Sequence, residues 1–341
     1  MPEPASHDDW LARTDEETLD AALPICDAHH HLWDHRTGNV ASRYLLDEYL
    51  ADTRSGHNVV SSVFIECGTM WRLGGPAEMR PVGETEFANG LAAMSASGNY
   101  GTTRVAAGIV GTASLSAGDA VARVLDAQLA AGNGRFRGIR QAAARDDDPA
   151  VPDHRTSPPA GLYGDPKFRE GFAHLAPRGL SFEGWCYHTQ LAELTELARS
   201  FPDTTIILDH FGGPIGVGPY AGQQDEVFNA WCKAIAALAG CPNVVAKLGG
   251  IAMEVNGFGW HLKAAPPDSR TLAAATRRYF EHTIEAFGTD RCLFESNFPV
   301  DKVSCSYNVL WNAFKRLASG YSAREKAQLF HDNAVRIYRV E

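Results

Sequence analysis

The sequence predicts an α/β fold, a single-domain (β/α)8 TIM barrel with long loops after its strands. Three observations predict it. Eight short, continuously apolar, β-rich runs recur along the chain, longer segments of helical periodicity separate them, and polar residues cluster where the runs end. Continuous apolar runs suit parallel strands covered on both faces. Strands that alternate with helices imply βαβ units and a parallel sheet, and eight of them favour a closed barrel over an open sheet. Residues 1–20 precede the first run as an N-terminal extension, and 21–341 make up the barrel.

The eight strand candidates span 23–27, 59–66, 104–110, 136–141, 180–186, 205–209, 244–248 and 292–295. Among the helices, 119–131 has Asp119 as a candidate N-cap and Gly132 as its stop. The segment 190–201 ends before Pro202, which cannot continue a helix. The stretches 225–239 and 271–287 are amphipathic and each is followed by Gly. The last helix starts at Ser322, whose spacing to Glu325 is that of a capping box. Four Gly- and Pro-rich stretches, 69–84, 143–165, 212–224 and 255–269, are too long for turns. The first three follow strands two, four and six, on the side where a barrel keeps its active site. The fourth follows strand seven and a short Gly249-Gly250 turn. Loops of that length are uncommon unless functional, so they read as substrate walls.

Composition narrows the function. The net charge of −10 argues against a nucleic-acid partner, which needs clustered Lys and Arg. No apolar run reaches the roughly 18–20 residues of a membrane span. The first twenty residues lack the basic start and apolar stretch of a secretion signal. Seven cysteines, an odd number with no CxxC pair, read as reduced thiols. The expectation is a cytoplasmic protein that acts on a small molecule.

A barrel enzyme draws its chemistry from the C-terminal ends of several strands. Strand one ends in Asp27-Ala28-His29-His30-His31-Leu32-Trp33-Asp34, and alternation puts His29 and His31 on one side of an extended segment. Two imidazoles so placed chelate a cation or grip an oxyanion. His188 and His210 fall at the ends of strands five and six. Taken singly, each reads more simply as a packed, hydrogen-bonded histidine; together they converge on the same mouth. Arg140, at the end of strand four, is a candidate for holding a carboxylate in a bidentate contact. Glu66 and Lys247 are candidates for substrate contact, with a structural ion pair as the other reading of each. Trp33, Trp71, Trp185, Phe211, Trp260 and Phe298 fall near strand ends or in the long loops, and aromatic walls suit a ring-shaped substrate.

These motifs resemble the amidohydrolase-related branch of the amidohydrolase superfamily, close to its lactonase-like group of metal-dependent hydrolases. The resemblance runs from about Leu23 to Tyr338. It is carried by the 27–34 motif, by Leu208-Asp209-His210-Phe211-Gly212-Gly213-Pro214, by Lys247-Leu248-Gly249-Gly250, by Phe294-Glu295-Ser296-Asn297-Phe298-Pro299-Val300, and by the closing 332–338. It implies a barrel and hydrolytic or decarboxylating chemistry. His29 and His31 match the family's HxH pair, His210 its strand-six histidine, and His188 its strand-five metal-binding position. The family usually carries Asp where this chain has Asn297, and Asn is neither a base nor a good ligand. Asp301, Glu66 or His188 stands in as the base.

Three functions follow. The first is lactone hydrolysis, with His29, His31 and His210 polarising the carbonyl, Asn297 and Asp301 beside them, and Arg140, Glu66, Trp33, Trp185 and Lys247 around the substrate. One divalent metal, zinc foremost, would sit on His29, His31, His188 and His210; metal-free catalysis on the same histidines is the alternative. The second is non-oxidative decarboxylation of an aromatic or unsaturated acid. The third is a binding relative without catalysis. Self-association into a homo-oligomer is common in the family.

Overall fold

A computed structural model describes residues 6–38 and 41–340. Eight strands form one parallel sheet in the order in which they occur in the chain: β1 (Pro24–His30), β2 (Asn58–Ile65), β3 (Arg104–Gly111), β4 (Phe136–Arg140), β5 (Ser181–Gly184), β6 (Ile206–Leu208), β7 (Val244–Leu248) and β8 (Cys292–Phe294). The sheet closes on itself just beyond β8. His31 N–H donates to Phe298 O at 2.8 Å, and Asn297 N–H to His29 O at 2.9 Å. All eight expected strands are present, each within a few residues of its anticipated bounds.

The helices that cover the barrel include α1 (His7–Leu11), α2 (Leu46–Thr53), α3 (Val82–Ala96), α4 (Ala122–Ala131), α5 (Pro166–Phe172), α6 (Leu191–Ser200), α7 (Gln224–Ala239), α8 (Ser269–Phe287), α9 (Tyr307–Leu317), α10 (Ala323–Ala327) and α11 (Asn333–Tyr338). Asp119 is not the cap of α4. A 3-10 segment over Leu115–Val121 leads in, with a kink at Gly118 (φ 60°), and the Asp119 carboxylate sits 2.8 Å from His174 Nε2 instead. Gly118 allows that kink because it has no Cβ. The Ser322–Glu325 capping box forms as expected at α10. The N-terminal residues dock onto the α8–α9 side: Trp10 Nε1 donates to Lys263 O, and Asn312 holds Glu16 and Glu17.

Two cores result. Strand faces that point outward pack with the helices around Ile25, Phe64, Ile109, Phe182, Trp231 and Phe294. The barrel interior holds Cys26, Ala28, Val63, Ile65, Val110, Ile207, Val245 and Leu293, and Tyr338 and Val340 join them from the C-terminal segment. Above this apolar layer, the next inward positions are charged: Glu183, Asp209, Lys247 and Glu295 are all fully buried. The two-residue period of a strand puts them there, two positions beyond Ile207, Val245 and Leu293. All seven cysteines are free, and no described helix is long and apolar enough to cross a membrane.

Candidate active site

The histidine motif reaches the mouth through a break in strand regularity. Cys26 and Ala28 face the interior, so strict alternation would turn His29 outward. Between Asp27 and His30, however, β1 advances three residues while β2 advances two, from Ser62 to Phe64. One extra residue on one strand is a β-bulge. Ala28 and His29 therefore both face in, His30 faces out, and His31 faces in. The outward residues are put to structural use. His30 stacks on Tyr49 at 4.1 Å between ring centres and pairs with Ser62 Oγ at 2.9 Å. Asp27 accepts from Ser296 N–H (2.8 Å), Ser296 O–H (2.6 Å) and the hydroxyls of Tyr49 and Tyr307 (both 3.0 Å). This clamp ties β1 to the segment after β8.

Glu295 links two of the inward histidines. His210 Nδ1 lies 2.7 Å from its Oε1, and His29 Nδ1 lies 2.9 Å from its Oε2. Burial alone would raise the Glu295 carboxyl, but His210 and His29 outweigh it and hold it below the usual carboxylate range. Room for this pair comes from the Gly249-Gly250 turn. A Cβ at Gly249 would run into Glu295, and one at Gly250 (φ +65°) into the ring of His210. His210 and Asn297 themselves adopt left-handed backbone (φ 52° and 54°). Such strain persists only where the surroundings over-determine it.

Lys247 sits under the same group. Its Nζ is 2.7 Å from Glu183 Oε2, 3.0 Å from Asp209 Oδ1 and 3.0 Å from His29 Nδ1. Burial would lower its pKa; Asp209, Glu183 and Glu295 outweigh that and keep it charged. On the other side, Glu66 accepts from Arg140 Nε at 2.8 Å and from Arg155, which comes from the long loop after β4. Burial opposes ionisation of Glu66, but Arg155 and Arg140 hold its pKa at about 2.

Ring protons decide what the histidines offer. His31 Nδ1 lies 2.8 Å from Ile65 O, an acceptor only, so His31 carries its proton there and Nε2 presents a lone pair. His210, with Nδ1–H on Glu295, likewise presents Nε2. His29 Nε2 lies 3.2 Å from His31 Nε2. Two lone pairs cannot face each other at that distance unaided. Either His29 carries a proton on Nε2 or a cation lies beside them, and the Arg140 guanidinium is one such cation: its Nη1–H points at His29 Nε2 from 3.4 Å. Among the described residues, His29, His210 and Glu295 are the group whose ligand atoms fall together, within 4.8 Å of one another. Imidazole lone pairs oriented by a carboxylate and a carbonyl are the outer-shell arrangement of metal-bound histidines. The set His29, His210 and Glu295 fits a divalent ion of the zinc type, and His31 lies outside that set.

The amidohydrolase family model matches residues 26–340. The chain belongs to the amidohydrolase family. It is 35% identical over 336 residues to protein y4mH of Sinorhizobium fredii, covering 93% of this chain and 99% of that one. It is 28% identical over 179 residues to an L-fucono-1,5-lactonase of Burkholderia multivorans, covering 51% of this chain and 56% of the lactonase. A crystal structure of a Burkholderia multivorans amidohydrolase with bound zinc superposes with a TM-score of 0.71 at 23% identity, covering 93% of this chain and 99% of that one. At that identity the match establishes the fold.

The amidohydrolase cluster brings together His29, His31, His210, Lys247, Arg140 and Glu66. His188 lies apart: Ile215 N–H donates to its Nδ1 at 3.4 Å, its ring packs edge-on to Tyr220, and burial lowers its pKa to about 4. Asn297 donates through Nδ2 to Asp301 Oδ1 at 2.8 Å, and Ala252 N–H reaches Oδ2 at 3.0 Å. Burial raises the Asp301 carboxyl to about 7, although His210 and Asn297 lower it in part. Trp33 is buried in a bridge with Tyr44 and lines neither cleft described below. Trp185 packs edge-on against His210, 4.8 Å between ring centres, and its other side lines a cleft of about 460 Å³ shared with His154, Arg155, Tyr187 and Val300. A second cleft of about 290 Å³ is lined by Glu66, Arg140, Trp71 and His154. Phe211 and Phe298 are core residues, packed on Phe280 and Tyr307.

Sequence reading passed over Glu295, Asp209 and Glu183 as site residues. The first two stood in plain view at strand ends; their inward parity with Leu293 and Ile207 was the available signal. Arg155 carried no local signal, because only folding of the long loop brings it to Glu66.

Proposed function

We propose that this amidohydrolase opens a lactone, the cyclic ester of a small, ring-shaped and carboxylated molecule. The observation that carries the reading is the inward cluster of His29, His31 and His210 beside an aromatic cleft whose neighbouring acid, Asp301, titrates near neutrality. The likeness to an L-fucono-1,5-lactonase supports it.

Substrate would enter against Trp185, with its ring on the indole face and an acidic substituent on Arg140 or Arg155. Asp301, whose carboxyl burial raises to about 7, takes a proton from water as the water oxygen attacks the carbonyl carbon. His29 Nε2–H, the one imidazole proton the site does not hold on an Nδ1 of His31 or His210, stabilises the oxyanion. The ring C–O bond then breaks, and the Asp301 proton passes to the leaving ring oxygen, which gives a hydroxy acid. Asn297 positions Asp301 and stands where relatives carry Asp. With a divalent ion, His29, His210 and Glu295 would hold it, with His31 beside them, and it would supply Lewis-acid polarisation of the carbonyl.

The test is acid release from a panel of sugar lactones and carboxylated lactones, L-fucono-1,5-lactone among them, with and without chelator. The expected result is turnover of at least one lactone that falls sharply in His210→Ala. Failure to open any lactone would overturn the reading. Release of CO2 from hydroxybenzoate-type acids in the same panel would favour decarboxylation instead, the reading that the loss of Asp at 297 motivates.

A further inference from the structure

At the end of the barrel away from the histidines, a cleft of about 370 Å³ opens beside the N-terminal ends of β3 and β4. Four arginines line it. Arg104 is the first residue of β3, Arg135 and Arg137 flank Phe136 at the start of β4, and Arg339 follows α11. Period-two alternation puts Arg135 and Arg137 on one face of their strand. Asn133 and Gly134, from the turn before β4, complete the lining together with small apolar side chains, and no acid takes part in it.

That imbalance runs against the composition, which has 41 acids to 31 Lys and Arg. Elsewhere arginines of this chain meet carboxylates: Arg178 meets Asp126, and Arg278 meets Asp225, both at 2.7 Å. In the cleft the acceptors shown are neutral. Arg135 donates to Asn89 Oδ1 at 2.7 Å, Arg339 to Gly179 O at 2.9 Å, and Arg137 to Gly134 O at 2.6 Å and Arg339 O at 3.1 Å. Arg104 makes one long contact, to Thr102 O at 3.4 Å. These bonds hold the guanidinium groups in place without neutralising them. Among the described residues, no acid forms an ion pair with Arg104, Arg135 or Arg339. Like charges gathered in a concavity repel one another, and its walls focus their field on any anion that enters.

We propose that this cleft is a second binding site, remote from the active site, for a phosphate group, either free or carried on a small organic molecule. The planar guanidinium fork matches phosphate oxygens with paired N–H donors. A dianion seated there bridges Arg104 of β3, Arg135 beside β4 and Arg339. It thereby ties the C-terminal segment, whose Tyr338 and Val340 help to fill the barrel interior, to two strands of the sheet. The inference is independent of the reaction at the other end of the barrel, and its test uses no lactone.

The test is titration of the full chain at pH 7.5 and low salt with inorganic phosphate and, separately, with a sugar monophosphate, followed by amide NMR. Asn133 and Gly134 report the cleft, and Gly250 reports the active site. Saturable shifts at Asn133 and Gly134 are expected, with acetate binding more weakly because it carries one charge. Arg104→Gln removes one guanidinium, and Asn133→Asp sets a carboxylate on the rim; each should weaken binding at least about tenfold, the scale of one charge-assisted hydrogen bond. Both side chains are exposed, and Asp tolerates the left-handed backbone of Asn133 (φ 44°), so both variants should fold. Tighter binding of the sugar phosphate identifies the ligand as an ester, and equal binding identifies free phosphate. Shifts confined to Gly250, affinity unchanged in both variants, or acetate binding as tightly as phosphate overturns the proposal. So does binding that appears only after Glu341 is deleted, because Glu341 then takes the cleft itself.

Discussion

Replacing Asp27 by alanine should loosen the barrel where its two ends meet. The Asp27 carboxylate takes four buried donors at 2.6–3.0 Å, Ser296 N–H, Ser296 O–H, Tyr49 O–H and Tyr307 O–H, and a longer fifth, His29 N–H, at 3.4 Å. A buried donor that loses its acceptor costs about 1–3 kcal/mol. Hydroxyls can turn to other acceptors, so the low end applies, and four donors at about 1 kcal/mol each give about 4 kcal/mol. In a chain of this size each kcal/mol moves the melting temperature by roughly 2 °C, so the expected fall is roughly 8 °C. Differential scanning calorimetry of native and variant protein at pH 7.5 measures it, with Tyr49→Phe as a single-donor comparison expected to fall by roughly 2 °C. The clamp also fixes Ser296 next to Asn297, so Asp27→Ala should lose activity as well. A melting temperature within about 2 °C of native would refute the idea that Asp27 closes the ring.

Three further expectations follow from the site. Asp301→Asn should cut kcat on any accepted lactone by about 100-fold or more and remove the limb of the pH–rate profile near pH 7; a retained limb points to another base. Glu66, held at about 2 against an ordinary 4.5 by Arg155 and Arg140, contributes stability that is present above about pH 4.5 and lost as pH falls toward 2. Glu66→Gln should therefore be less stable by about 3 kcal/mol at pH 7, with the gap narrowing in melts taken between pH 5 and pH 3; a constant gap would contradict it. Glu295→Gln should weaken Zn(II) binding about 10- to 100-fold in equilibrium dialysis, because both histidines lose their orienting carboxylate.

Much of the barrel was legible because its signals are local. Each strand is an apolar run a few residues long, and each helix carries its own stripe and cap. The expected positions hold even for β6, a strand of three residues, because Pro202 and the Leu208-Asp209-His210 motif bracket it. Asp119 failed as a cap because Gly118 supplied a left-handed turn and Glu170 took the Asp119 N–H. His29 and His31 were rightly paired by alternation, but their inward direction depends on a bulge that the residue pattern does not announce. His188 shares the strand-end position of the others, yet the loop after β6 draws it to Ile215 and Tyr220.

The order of eight strands, the helices between them and the polar residues at the strand ends were determined by the sequence itself, since each rests on side chains within a few positions of one another. Tertiary structure alone decided which polar residues meet. Glu295 between His29 and His210, Lys247 under His29, and Arg155 on Glu66 join residues 85 to 266 positions apart or held on different strands. Closure of the sheet sets those distances, and in a buried, poorly solvated mouth a shift of one ångström changes which charge neutralises which.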